Sequence, residues 1–153
     1  MFVEFNTFAI SDIDDLIKDV RDIDRLEFEL MSNGESLHDM LSDLHAKSIR
    51  ARTARVDGHV VAIYGMIRQT ILGGTGNPWM IATNEIYKTN VRRAFLQNTK
   101  RELAWLAGDL NYLWNLVHSK NVIAIRWLKW IGFKFDGSGF VSGEHEFLKF
   151  YME

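Results

Sequence analysis

Residues Leu116–Phe135 read LVHSKNVIAIRWLKWIGFKF, and the order of elements inside this stretch decides the fold. An apolar run closes at His118. Asn121 then offers a side-chain oxygen to the free N–H groups that open a helix. Ala124, Trp127, Leu128 and Ile131 recur at helical spacing and supply one apolar face, and Gly132 stops the helix before extended residues resume at Phe133. The segment therefore predicts a strand over Tyr112 to Val117, a helix over Asn121 to Ile131 and a strand over Phe133 to Phe135. A crossover of this kind is right-handed and predicts that the strands it joins run parallel as neighbours.

Working outward, the spacing of Val91, Phe95, Leu103 and Leu106 predicts a long helix over Thr89 to Ala107. Before it, Pro78 to Thr83 reads as a strand entered from the turn Gly73-Gly74-Thr75-Gly76. Asp57-Gly58 sits between two strand-forming runs, Arg52 to Val56 and His59 to Ile67, and predicts a tight hairpin. Phe2 to Phe8 alternates as a first strand. Ser11 is placed to cap a helix in which Ile13, Leu16, Ile17, Val20, Ile23 and Leu26 continue without interruption, up to a break at Ser32-Asn33-Gly34. Leu37, Met40, Leu41 and Leu44 form a second stripe, and Glu146 to Tyr151 a last strand. The whole is a mixed α/β sheet with helices on both faces.

The 153 residues, 47% of them hydrophobic, suffice for one core, so a single domain over 1–153 is expected. The chain has no cysteine, which excludes disulfides and thiol nucleophiles. No apolar stretch is long enough for a membrane-spanning helix, and Met1-Phe2-Val3-Glu4-Phe5 lacks the pattern of a signal peptide, so a soluble protein used inside the cell that makes it is expected. Charge is uneven. Residues 1–50 carry 12 Asp and Glu against 5 Lys and Arg, whereas the remainder carries 8 against 13. This asymmetry is read as mutual neutralisation between packed elements, with attraction of an anionic ligand to the basic part as the alternative.

Asn121, Ala124, Ile125, Ile131, Gly132 and Phe133 together resemble the N-x-x-A-i-x-x-Y-x-x-l-G-F segment of the GCN5-related N-acetyltransferase family, and the element order agrees. The resemblance implies an acetyltransferase-like domain with a strongly twisted mixed sheet, and acetyl-CoA bound where two parallel strands splay apart. On this sequence the carrier's arm would follow Met80 to Thr83, touching Ile81, Ala82 and Thr83, with the pyrophosphate on the helix that begins near Asn90. The family's phosphate loop, Q/R-x-x-G-x-G/A, falls on Tyr87, Asn90 and Arg92. Asn90 and Arg92 crowd the approach of backbone N–H groups, and the side chains of Lys88, Arg92 and Arg93 offer a substitute. The family's proton-donating tyrosine falls at Leu128, which has no proton to give.

A narrower set of residues, Trp79, Arg92-Arg93-Ala94-Phe95, Tyr112-Leu113-Trp114-Asn115 and Asn121 through Gly132, resembles a group of small tailed-phage proteins with a degenerate acetyltransferase-like fold, among them the internal virion protein A of T7-like phages. This resemblance implies a non-catalytic protein of virion assembly or morphogenesis, with phage virion or assembly proteins as partners, in the host cytoplasm during phage production or associated with the virion. Leu128, Asn90 and Arg92 favour it over the alternative, an acetyl-CoA-dependent N-acetyltransferase acting on an amine.

For that alternative, Glu85 or His118 would remove the amine proton, and a backbone N–H near Ile81 or Ala82 would stabilise the developing oxyanion. Glu144 with His145 is a further pair, read as a solvated loop. Asn121 positions a ligand amide or caps its helix, Arg126 faces a phosphate or solvent, and Trp127 and Trp130 line a ligand or pack in the core. The groove between the splayed strands is expected to be partly closed by Trp79, Trp114 or Leu128. No metal site is expected, since His38 and His45 lack companion ligands, and no specific nucleic-acid binding, since the basic helix carries no recognition motif.

Overall fold

The computed structural model describes residues 1–153 and contains one seven-stranded sheet in the order β1-β2-β3-β4-β5-β7-β6. The strands are β1 Val3–Thr7, β2 Arg50–Val56, β3 His59–Arg68, β4 Thr75–Ala82, β5 Tyr112–His118, β6 Lys134–Ser142 and β7 His145–Met152. The helices are α1 Asp12–Lys18, α2 Asp22–Met31, α3 Leu37–Lys47, α4 Thr89–Ala107 and α5 Val122–Ile131, with a short 3-10 turn over Asn84–Tyr87. All neighbouring strands are antiparallel except β4 and β5.

Local chemistry explains the elements that the sequence makes legible. Asp57 and Gly58 both take positive φ, 51° and 82°, as the two-residue turn between β2 and β3 requires. Asn121 caps α5 through its Oδ1 to the Ala124 N–H, and Gly132 ends it in the left-handed region at φ 114°. Alternation along β3 sends Ile63 to one core with Ile13, Leu16 and Leu41, while Ala62, Tyr64 and Met66 join Phe95, Leu106 and Leu128 in the other, and a register shift against β2 at the start of β3 puts Val60 with Ile63 and Val61 with the second group. Helices thus cover both faces: α1 and α3 lie on one, α4 and α5 on the other.

Two expectations require correction. Helix α5 does not return the chain to a strand beside β5. The β6–β7 hairpin folds back so that β7 pairs antiparallel between β5 and β6, and β4 beside β5 is the sheet's one parallel pair. The second correction concerns the N-terminal helix, which breaks after Lys18. Val20 forms a bridge with Thr83, the Arg21 N–H donates to the Ala82 carbonyl (3.0 Å) and the Asn84 N–H donates to the Asp19 carbonyl (2.9 Å). Backbone pairing to the end of β4 thus outcompetes helix continuation, and α2 restarts at Asp22 on a new axis. Ser11 makes no capping bond. The Asp12 carboxylate takes the Ala9 N–H at 2.9 Å instead, while also accepting from Thr53 and pairing with Arg55.

Candidate functional site

Strands β4 and β5 pair only at Thr75–Tyr112 and Gly76–Leu113, then separate. The cause is readable in β4. Register with β3 directs the N–H and C=O of residues 75, 77, 79, 81 and 83 to β3, so residues 76, 78, 80 and 82 face β5. Position 78 is the chain's one proline, which has no N–H to continue the ladder. Two asparagines tie the strands at the apex in its place: Asn115 Nδ2 donates to the Pro78 carbonyl (2.7 Å) and Asn77 Nδ2 to the Trp114 carbonyl (3.0 Å).

Below the apex the split opens to both faces of the sheet. On the α2–α3 side lies a cavity of about 450 Å³ whose wall includes Asp24, Glu27, Phe28, Glu35, Asp43 and Trp79. On the α4–α5 side lies one of about 550 Å³, bordered by Ile86, Arg92, Phe95, Ile123 and Arg126. Arg21, Met80, Ala124 and Trp127 border both and mark where they meet. The expected partial closure is therefore not what the side chains do. Trp79 lies against Gly65 and donates to Ser48 Oγ (2.9 Å), and Trp114 donates to Gln69 Oε1 (3.0 Å). Leu128 is buried and borders the split without filling it.

The restart of α2 places three charged side chains at this junction. Arg21 and Asp24, each 3% exposed, form a two-point pair (2.6 and 3.2 Å), and Asp24 also accepts the Ala82 N–H at 2.6 Å. One turn on, Glu27 accepts from Asn121 Nδ2 (2.8 Å) and from the His118 N–H (3.2 Å). Burial pushes the Glu27 carboxyl up to about 7, and the negative charge of Asp24 adds to the push against the hydrogen bond from Asn121. A half-buried carboxyl that titrates near neutrality, at the meeting point of two cavities, is suited to hold and release a proton.

The residues singled out from sequence divide sharply. Glu85 lies outside the split, with its carboxylate on Lys88 Nζ at 3.0 Å, so each neutralises the other, and neither borders the two cavities of the split. The His118 side chain also points away. Its Nδ1 accepts the Lys120 N–H (3.1 Å) and its Nε2 meets His145 Nδ1 (3.0 Å), while burial and then His145 depress its pKa. His118 reaches the site through its backbone N–H alone, and His145 is its partner rather than a solvated loop residue. Ile81 is in the β3 ladder and buried beneath α1 and α3, the Ala82 N–H is taken by Asp24, and the Thr83 hydroxyl donates to the Val60 carbonyl at 2.7 Å. The β4 N–H left facing the split without a protein partner is that of Met80. Asn90 is exposed and its side chain accepts the Val91 N–H, Arg93 is exposed, and Arg92 borders the α4–α5 cavity. Asn121 caps α5 and holds Glu27. Arg126 joins Arg92 at the cavity, and Trp127, unlike exposed Trp130, borders both openings.

No protein-family model matches the chain, and no curated protein matches it. Solved structures do. The ribosomal-protein-S18-alanine N-acetyltransferase of Escherichia coli superposes with TM-score 0.67 at 11% identity, over 99% of this chain and 93% of that one. An acetyltransferase of the GNAT family from Streptococcus pneumoniae gives 0.65 at 14%, over 99% and 98%. The spermidine N-acetyltransferase of Vibrio cholerae, solved with CoA and spermine, gives 0.67 at 13%, over 98% and 94%. These likenesses show the fold: a mixed, twisted sheet flanked by helices in the GCN5-related acetyltransferase architecture. They overturn the expected kinship with degenerate tailed-phage proteins and the virion-assembly role drawn from it, because these matches, over nearly the whole of each chain, are to bacterial acetyltransferases rather than to virion proteins.

Proposed function

We propose that this protein is an acetyl-CoA-dependent N-acetyltransferase that acts on an amine. The observation that carries the reading is the junction itself: a carboxyl titrating near 7, Glu27, stands where an arginine-bordered cavity on one face of a split sheet meets an acid-bordered cavity on the other.

The residues present fit the carrier. Arg92 and Arg126 suit phosphates on the α4–α5 side, and the first turn of α4, which holds no acidic residue, adds backbone N–H groups. The apolar wall of Ala82, Ile86, Phe95 and Leu96 suits an uncharged arm leading to the split. Acetyl-CoA supplies the activated acyl group, a thioester carbonyl on a thiolate leaving group. Met80 N–H is free to polarise that carbonyl from β4. On the opposite side Arg21 pairs with Asp24 and Lys47 with Asp43, which leaves Glu27 and Glu35 as the net negative charge of the wall for a cationic acceptor. An ammonium cannot attack a carbonyl, so a group must first take its proton. Glu27, held by Asn121 and the His118 N–H, has the basicity for that step at and above neutral pH. Leu128 supplies no proton to the departing thiolate, which leaves that proton to water in the split.

Titration calorimetry with acetyl-CoA, followed by thiol release with a panel of primary amines, tests the reading. Micromolar binding and amine-dependent thiol release are expected. Absence of binding at millimolar acetyl-CoA rejects it.

A further inference from the structure

Trp127 carries the one buried side-chain nitrogen or oxygen in the protein that has no hydrogen-bond partner, its indole Nε1. Tryptophans elsewhere in the split sheet are satisfied: Trp79 donates to Ser48 and Trp114 to Gln69. A buried N–H without an acceptor costs free energy that a ring of similar shape without the N–H would avoid. The packing of this ring against Phe95, with centroids 6.0 Å apart, does not require a nitrogen. The donor is therefore unrewarded in the free protein, at the one side chain of α5 besides Ala124 that borders the cavities on both faces of the sheet.

We propose that Trp127 is a ligand-binding residue whose ring, shielding its nitrogen in the free protein, turns as the arm of the acyl carrier enters the split so that the indole N–H donates to a neutral amide carbonyl of that arm. The inference rests on the acetyl-CoA reading above and adds a residue to it. An indole nitrogen donates and never accepts, so its partner must present an oxygen. The surroundings favour a neutral oxygen over an anion: Met80, Ala82, Ile86 and Phe95 line this side, and the arginines that suit phosphates are Arg92 and Arg126. The carrier's arm offers amide carbonyls, and the thioester carbonyl has its own donor in Met80 N–H. Sequence reading placed the family's tyrosine at the next position, where Leu128 stands. Trp127 does not replace that residue's chemistry, because an indole N–H does not ionise near neutral pH. It holds the arm and transfers no proton.

The decisive variant is Trp127→Phe, which keeps an aromatic ring and deletes the donor. Its melting temperature without ligand is expected to equal or exceed that of the wild type, while calorimetry shows about tenfold weaker binding of both CoA and acetyl-CoA. With ¹⁵N-labelled tryptophan, the one of the five indole signals that is missing in the variant is expected to move downfield when wild-type protein is saturated with CoA. Wild-type binding accompanied by an unmoved Trp127 signal and unchanged affinity in the variant overturns this inference and leaves the acetyl-CoA reading standing. Failure of the wild type to bind either compound removes both. Weakening confined to acetyl-CoA overturns the assignment to an arm amide.

Discussion

The two mouths of the split differ in charge and in how that charge is held. On the α4–α5 side Arg92 and Arg126 stand at the cavity border with no salt bridge to the protein, free to meet an anion. On the α2–α3 side the charged groups nearest the junction are buried and engaged with one another: Arg21 with Asp24, Asp24 with the Ala82 N–H, and Glu27 with Asn121 and His118. One mouth is built to recruit and the other to hold a proton, so equivalent changes on the two sides have different consequences. Of the unevenly distributed charge along the chain, four of the 12 acids in the first 50 residues border the α2–α3 cavity and two of the 13 later cations border the α4–α5 cavity. Arg55 with Asp12 is the single Lys or Arg ion pair that joins the acidic first 50 residues to the rest.

The largest effect is expected on the engaged side. Asp24→Ala leaves a buried guanidinium and the Ala82 N–H without their acceptor, which costs about 3–5 kcal/mol and lowers the denaturation midpoint accordingly. Arg92→Ala, across the split, is expected to change stability by less than about 0.5 kcal/mol. Urea denaturation of the two variants in parallel checks the contrast, and equal losses would break it.

Next comes Glu27→Gln, which keeps shape and removes the titrating group. Turnover is expected to fall by about 10²- to 10³-fold with CoA affinity unchanged. In the wild type, activity rises with pH through about 7 as the carboxyl ionises. Stability runs the other way. The folded value of about 7 lies above the ordinary 4.5, so the folded state holds this proton more tightly than the unfolded chain. The contribution is fully present below pH 4.5 and is lost as pH rises through 7, up to about 3 kcal/mol. Denaturation measured at pH 5 and pH 8 should show that slope in the wild type and its absence in Glu27→Gln.

The reason Glu27 and Asp24 escape a sequence reading is physical. Ile13, Leu16, Ile17, Val20, Ile23 and Leu26 keep helical period straight through the place where the helix breaks, because Val20 bridges Thr83 through its backbone while its side chain joins the same core as Ile13 and Leu16. Read as one continuous helix, Asp24 and Glu27 fall four and seven residues from Val20, on the face the apolar side chains occupy, with Arg21 at its border, so two acids interrupt the stripe. Their spacing of three, with opposite charges leading, was the available signal. Asn121 to Gly132 and Asp57-Gly58 were legible because a cap, a left-handed glycine and a two-residue turn are decided by neighbours in the chain. The insertion of β7 beside β5 was not, since nothing local distinguishes which edge a hairpin will pair with. Glu85 and His118 were placed near the right strands, but the partners that occupy them, Lys88 and His145, become visible only in three dimensions.

On the recruiting side, Arg92→Ala and Arg126→Ala are each expected to weaken CoA binding about fivefold to tenfold, and to leave binding of pantetheine, which lacks the phosphates, unchanged. The wild-type affinity for CoA should fall with added salt, and each substitution should flatten that dependence, because charges at an open cavity border are screened. Calorimetry across a salt series checks both. Equal losses for pantetheine would mean that these arginines shape the cavity rather than meet phosphate.

The smallest expected effect separates two jobs done by one side chain. Asn121 Oδ1 caps α5 at the Ala124 N–H while Nδ2 donates to Glu27, so a general loss of function in Asn121→Ala would say little about either. Asn121→Ser keeps a good capping oxygen and deletes the amide donor, so stability should drop by less than about 1 kcal/mol. Glu27 then loses the strongest interaction that favours its charged form, while burial and the charge of Asp24 persist, so its pKa must rise above the wild-type value. The acid limb of the pH–rate profile is expected to move upward by less than about one unit, with the plateau rate at high pH nearly restored. A plateau that stays low while the limb does not move would mean that Asn121 matters to catalysis through the position of α5 and not through Glu27, and the proton-holding side of the comparison would then lose its tuning residue.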